Sequence, residues 1–190
     1  MVEVGKNSII SVDIKYGKNV KIGAFTIIEE GVTLGDNITI GHYTHIKKGN
    51  TILSNTVVGN YCELGENNVI GFNCIIQGRN RLASDCKIYD NVTIKYGTIL
   101  TSKVTLKENS FLGPNVITLG STHKRETKHT TEIGENTYIG AGSKIAADIH
   151  IGNDVVIGAN SFVNKDINND GKKPIYGGTP VKYIKNLDDE

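Results

Sequence analysis

The chain of 190 residues has no tryptophan, one methionine, three prolines and three cysteines, and aromatics make up only 6% of it. So few large rings exclude a broad globular core and leave room for a thin one packed by aliphatic side chains. Charge of either sign is not in excess: the formal net charge is +1, which removes the electrostatic case for nucleic acid or an anionic membrane as the main partner. No apolar run approaches the length of a membrane span. The opening "MVEVGKNSII" also lacks the basic start and long apolar stretch of a secretory leader. A cytoplasmic location is therefore expected.

What the chain has is a period of six. Aliphatic residues fall at Val4, Ile10, Ile22, Ile28, Leu34, Ile40 and onward to Leu112 without a slip, with Tyr16 the one exception, and the cadence restarts at Ile133 and runs to Val163. Of 25 such sites 24 are Val, Ile or Leu, which fits neither a helix nor a simple alternating strand and marks a repeat protein. Two residues before the aliphatic stands a small or β-branched residue, as at Thr26, Val32, Thr44, Thr56, Thr137 and Ser161, and Gly follows about half of the sites. Each hexad reads as a short strand with two inward side chains and then a corner. Three hexads enclose a triangular prism, so 18 residues make one coil and about eight coils follow.

Cys62, Cys74 and Cys86 occupy the small inward position two hexads apart, each on a different side of the prism. Packing, rather than a metal or redox role, is the expectation for them. Asn50 and Asn68 share that inward position one coil apart and suggest a stacked amide ladder.

The cadence breaks once. From Leu112 to Ile133 is 21 residues; if Thr118 keeps the phase, the next hexad has swollen from six residues to 15, and nine must leave the wall near residues 120–131. The segment "LGSTHKRETKHTTE" concentrates His123, Lys124, Arg125, Lys128 and His129 there. Loops on a rigid scaffold are the usual seat of chemistry, although a plain solvated loop is the alternative.

"VTLGDNITIG", "IGENTYIGAGSKI" and "IGNDVVIGANSFV" resemble the hexapeptide-repeat acyltransferases. The resemblance implies a left-handed parallel β-helix over residues 1–166, all-β apart from the tail, with a connection and cap in 167–190. "GPNVITLGSTH" is similar to the strand leading to the loop histidine of galactoside and maltose acetyltransferases, which makes His123 the implied general base. Lys124 stands where that family usually has Pro. The competing choice is His129, since "KHTTEIGENTYIGAG" resembles the stretch before the last coils of serine acetyltransferases, where an Arg-His pair contacts the acceptor. By the same likeness Asp90, Asn91 and Asn115 would face the acceptor. Ala141 and Ala159 would lie beside the pantetheine arm of acetyl-CoA, and Asn164, Lys165, Lys182 and Lys185 would meet the coenzyme near the C-terminus. For Asp90 and Asn91 a purely structural corner role stays open, because Asp36-Asn37 repeats the dipeptide.

The implied reaction is attack of a sugar hydroxyl or amine on a thioester, which needs a group with pKa near neutrality to take the acceptor's proton; imidazole supplies one. Both substrates meet in one ternary complex, so no Ser or Cys nucleophile is needed. The layout, with six coils before the loop and no long helical start, resembles acetyltransferases of bacterial sugar nucleotides and surface polysaccharides, and a homotrimer with sites between subunits is implied. Pro180 to Leu187 is expected to form one or two helical turns closing the prism. Two other readings remain, a noncatalytic scaffold and a serine acetyltransferase-like enzyme. A metal-dependent prism enzyme would need three converging histidines, and His42 and His45 lie some five coils from His150.

Overall fold

In a computed structural model describing residues 2–122, 124, 126 and 130–188, the chain is all-β and coils into a three-sided parallel β-helix. Twenty-six strands of two or three residues, from β1 (Val2–Val4) to β26 (Phe162–Val163), succeed one another around the prism. Face A takes β1, β4 (Val20–Ile22) and every third strand thereafter; face B starts at β2 (Ile9–Ile10) and face C at β3 (Lys15–Tyr16). Neighbouring rungs pair in parallel 18 residues apart, as Thr39 with Val57 and Lys87 with Thr105. This is consistent with the left-handed coil that the resemblance implies. Faces A and B each hold nine rungs of the coil and face C eight, so the prism has nearly nine coils rather than about eight. The additional rung is β20 (Ile117–Thr118), where Thr118 keeps the phase in place of an aliphatic.

Two requirements produce this fold. Every sixth side chain is removed from water, with Ile40, Ile46, Leu64, Ile76, Ile94 and Ile139 at 1% exposure or less. Each such burial is worth roughly 1.5–3 kcal/mol before the entropy of ordering is charged against it. Every corner must then turn the chain through a left-handed residue. On the corner between faces C and A that residue is Asn19, Asn37, Asn55, Asn73 and Asn91, with φ from 55° to 63°. Asparagine tolerates this region better than most residues carrying a Cβ.

The small inward residues form a second ladder. Thr26, Thr44 and Thr56 donate their hydroxyls to the carbonyls of Gly41, Gly59 and Gly71, each 15 residues on, at 2.8–2.9 Å. The cysteine thiols take the same place, Cys62 toward Gln77 O, Cys74 toward Tyr89 O and Cys86 toward Thr101 O, at 3.0–3.2 Å. All three are buried, and each lies on a different face, as the sequence implied. The Asn50–Asn68 pair is linked through the backbone and not amide to amide: Asn68 N–H donates to Asn50 Oδ1 at 3.2 Å, and both side-chain amides donate to Gly65 O. The amide-to-amide ladder runs instead along the outside, from Asn19 to Asn37 to Asn55 and from Asn73 to Asn91.

Burial pushes the Cys74 and Cys86 thiols from an ordinary 9.0 up to about 11. A thiol whose folded pKa lies above its unfolded one favours folding in the protonated form, so stability is intact below pH 9 and falls as pH rises toward 11. We expect alkylating reagents to leave all three cysteines unmodified in the folded chain. We also expect the urea midpoint to drop between pH 8 and pH 10.5 by more in the natural chain than in one with all three cysteines changed to Thr. Equal drops would assign the alkaline loss to other groups.

The tail departs from expectation. No helix occurs among the described residues; β27 (Pro174–Gly177) continues face A beyond β25 (Val156–Ile157), and β28 (Lys182–Asn186) pairs back on it antiparallel. Pro180 sits in the connection after a cis peptide bond, and Val181, 2% exposed, donates its N–H to Phe162 O above the last coil. Unpaired backbone groups left by the final rungs explain the outcome: a strand can satisfy them and a helix cannot.

Candidate functional site

The excursion is fixed by register. Rungs pair 18 residues apart until β20, after which Leu106 pairs with Ile133, Phe111 with Tyr138 and Ile117 with Lys144, all 27 apart. Nine residues therefore leave the wall between β20 and β21 (Glu132–Ile133), at the corner between faces B and C. The wall changes its bonding where it opens. Ala83 N–H donates to the Leu100 carbonyl, but the equivalent N–H of Thr101 donates to the Thr118 hydroxyl at 2.9 Å, and the two hydroxyls meet at 3.0 Å. An aliphatic at 118 could not take that hydrogen bond, which is why the cadence has a polar residue there. Early in the excursion Thr122 N–H donates to Glu126 O, and the chain rejoins the wall where the Thr130 hydroxyl donates to Asp148. His123 and His129, with Arg125 and Lys128, lie outside the described residues.

The remaining candidates fall on all three corners. Asn164 and Lys165 are exposed on the B/C corner, two coils above the excursion, and Asp166 beside them accepts the His150 N–H. Asn115, Ala141 and Ala159 stack on the A/B corner. There the coils approach so closely that a Cβ on Gly140 would lie 2.4 Å from Ala159 N, so only glycine fits. Asp90 and Asn91 occupy the C/A corner. Asp90 Oδ1 accepts the Phe72 N–H at 2.8 Å, the arrangement by which Asp36 holds Lys18 N–H and Asn60 holds His42 N–H; Asn91 is a member of the outer amide ladder. Both thus have a structural duty, and Asp90 also lines a groove of about 350 Å³ on face C with Leu53, Val69, Lys87 and Tyr89. Lys182 and Lys185 lie on β28. One chain does not bring the three corners together.

A group that the sequence reading missed lies on face C next to the excursion. Glu132, the first strand residue after it, has Lys107 Nζ at 3.8 Å and His150 Nδ1 at 3.7 Å, and Lys107 Nζ sits 5.0 Å from the centre of the Tyr89 ring. These residues are 25 and 18 apart in sequence. Glu132 and His150 are one ordinary rung apart, and Lys107 joins them once the nine-residue excursion is excised from the count, a signal present in the hexad spacing but unused. The other histidines among the described residues are separately engaged: His42 Nδ1 accepts the Ala24 N–H at 2.9 Å, and His45 Nε2 meets Glu29 at 2.7 Å. No helix of the described residues is long and apolar enough to cross a membrane.

No curated protein matches the chain. Solved structures similar to it include a perosamine N-acetyltransferase variant from Caulobacter crescentus in complex with CoA and GDP-perosamine, at 16% identity and a TM-score of 0.45. The acetyltransferase domain of PglB from Neisseria gonorrhoeae FA1090 follows at 16% and 0.41, and the UDP-N-acetylglucosamine acyltransferase of Francisella novicida at 16% and 0.45. The matches cover 97%, 93% and 98% of this chain, but the chain spans only 58%, 57% and 71% of those proteins. Residues 17–48 and 130–165 match the family described as bacterial transferase hexapeptide (six repeats). The match lies on both sides of the excursion, and the six-residue repeat itself runs through all 26 rungs of the coil.

Proposed function

We propose that the chain is a CoA-dependent acyltransferase that moves an acetyl group from acetyl-CoA to a hydroxyl or amino group of a sugar or nucleotide-linked sugar, in the building of bacterial surface polysaccharide. The observation that carries the reading is the opening of the wall just before the second stretch matched by the transferase family, where the chain sends out a segment with two imidazoles in its sequence. In this reading His123 takes the acceptor's proton as the nucleophile attacks the thioester carbonyl, then returns it to the departing CoA thiolate. A backbone N–H aimed at the carbonyl oxygen stabilises the tetrahedral intermediate. Asp90 and Asn91 orient the acceptor together with Asn115 and His129. Ala141 and Ala159 leave room for the pantetheine arm, and Asn164, Lys165, Lys182 and Lys185 hold the phosphate end. Since these residues occupy three corners of one prism, the site is shared between copies of the chain, as in a homotrimer.

The test is release of free thiol from acetyl-CoA with a panel of amino-sugar and neutral sugar nucleotides, alongside calorimetry with CoA. Thiol release that needs one acceptor supports the reading. Neither release nor CoA binding would leave the scaffold reading in its place. Lys182→Ala should raise the dissociation constant for CoA about tenfold at low salt and by less at high salt, because an exposed ammonium acts on a phosphate as a screened point charge. Unchanged affinity would remove Lys182 from the coenzyme site.

A further inference from the structure

Outward positions differ sharply among the three faces. Face B carries His45, Glu63, Arg81 and Lys144, and face C carries Lys87, Glu132 and His150. On face A eight consecutive rungs, from Thr39 through Val57, Ile75, Phe111 and Tyr138 to Ile175, carry no charge at all. Val57, Ile75 and Tyr138 are 40–45% exposed.

The adjoining A/B corner is as unusual. Its turning residue, elsewhere Asn or Gly, is Phe25, Tyr43, Tyr61 and Arg79 in succession, with φ of 54° to 58°. Bulky side chains are disfavoured in that region, so something other than the turn holds them there. The three rings stack at 4.9 and 5.0 Å with planes within 2°, and the Arg79 guanidinium lies 5.6 Å from the Tyr61 ring and 5.8 Å from that of Tyr96. Between this column and face A runs a groove of about 590 Å³ floored by Val57 and Ile75.

We infer that face A with its aromatic corner is the seam by which copies of this chain bind one another. The rings cover each other's faces and show only edges, which suits a protein surface and not a sugar that must lie flat on an aromatic plane. Tyr, Phe and Arg around a centre of uncharged outward residues, with Lys95 Nζ 5.6 Å from the Phe111 ring, also match the composition of interface cores. Eight rungs at ~4.8 Å spacing on a face about 20 Å wide give on the order of 700 Å², close to the area each partner contributes to a stable contact. This deepens the shared-site part of the proposed function, on which it rests, but assumes nothing about acetyl transfer.

The test reads mass in solution for the whole chain. At about 10 µM the natural protein should be a multiple of 20.6 kDa. Ile75→Asp on face A and, separately, Tyr61→Ser on the corner should each raise the dissociation constant at least about 100-fold and yield monomer. Val69→Asp, an equally exposed change on face C, should keep the assembly, with circular dichroism confirming the fold of all three. A monomeric natural protein, an undisturbed assembly in both seam variants, or equal dissociation by Val69→Asp would overturn the proposal. Loss of thiol release with the assembly intact would count against the proposed reaction and not against the seam.

Discussion

Replacing His123 by Ala is expected to lower turnover by about 10² or more while leaving CoA affinity unchanged, and His129→Ala is expected to be milder. General-base assistance contributes typically 10²–10⁴ in rate, and a base that touches only the acceptor's proton gives nothing to ground-state binding of the donor. Steady-state kinetics with acetyl-CoA, paired with calorimetry, separate the two effects. Two outcomes would change the assignment. A larger loss in His129→Ala would move the base to that position, and a parallel loss of CoA affinity in His123→Ala would show that the loop holds the coenzyme and does no proton transfer. The His150→Gln variant adds a control, since His150 faces Glu132 on the wall beside the excursion. A collapse of turnover there, with His123→Ala active, would place the reaction on face C.

The second large effect concerns the column itself. Ile76→Ala should cost about 2–5 kcal/mol, read as a fall in the urea midpoint with an unchanged slope. Ile76 is fully buried, and its rung neighbours Val58 and Ile94 are equally buried. A narrow prism leaves few atoms able to move into the space left by three carbons, because the rungs above and below are pinned by the ladder. The matching change at half-buried Ile10 should cost less than about 1 kcal/mol. Equal costs at the two positions would mean that central and terminal coils are packed alike, contrary to their exposures.

The repeat was legible because burial and turning act every six residues and each leaves a mark on the sequence: Ile or Val inside, then Asn or Gly at the corner. The length of the excursion was legible for the same reason, and Thr118 kept its phase although its chemistry differs. Residues 182–186 were read as helix from Pro180 and local composition, but β28 pairs back on β27, and β27 in turn takes up the backbone groups of β25, with Ile175 set against Val156, a dependence that local composition does not carry. Asp90 shows another limit. An aspartate at the second corner position holds an N–H one coil below wherever it stands, so the dipeptide alone cannot distinguish this duty from contact with an acceptor. In the Lys107–Glu132–His150 group the Glu132–His150 step keeps the ordinary spacing of 18, but Lys107 was hidden by the excursion, which shifts the rung spacing from 18 to 27.

The two ends of the column are finished differently. At the C-terminal end β27 and β28 cover the last rungs, and Val163 and Ile157 are fully buried, whereas in the first coil Val4 and Tyr16 are 53% and 54% exposed. Because each coil leans only on its neighbours, loss of order in this chain should travel in one direction, peeling from the exposed first coil toward the covered last one. Amide exchange would record this as a gradient of protection rising along the chain, and the excursion, past the midpoint of the column, would be among the later parts to let go.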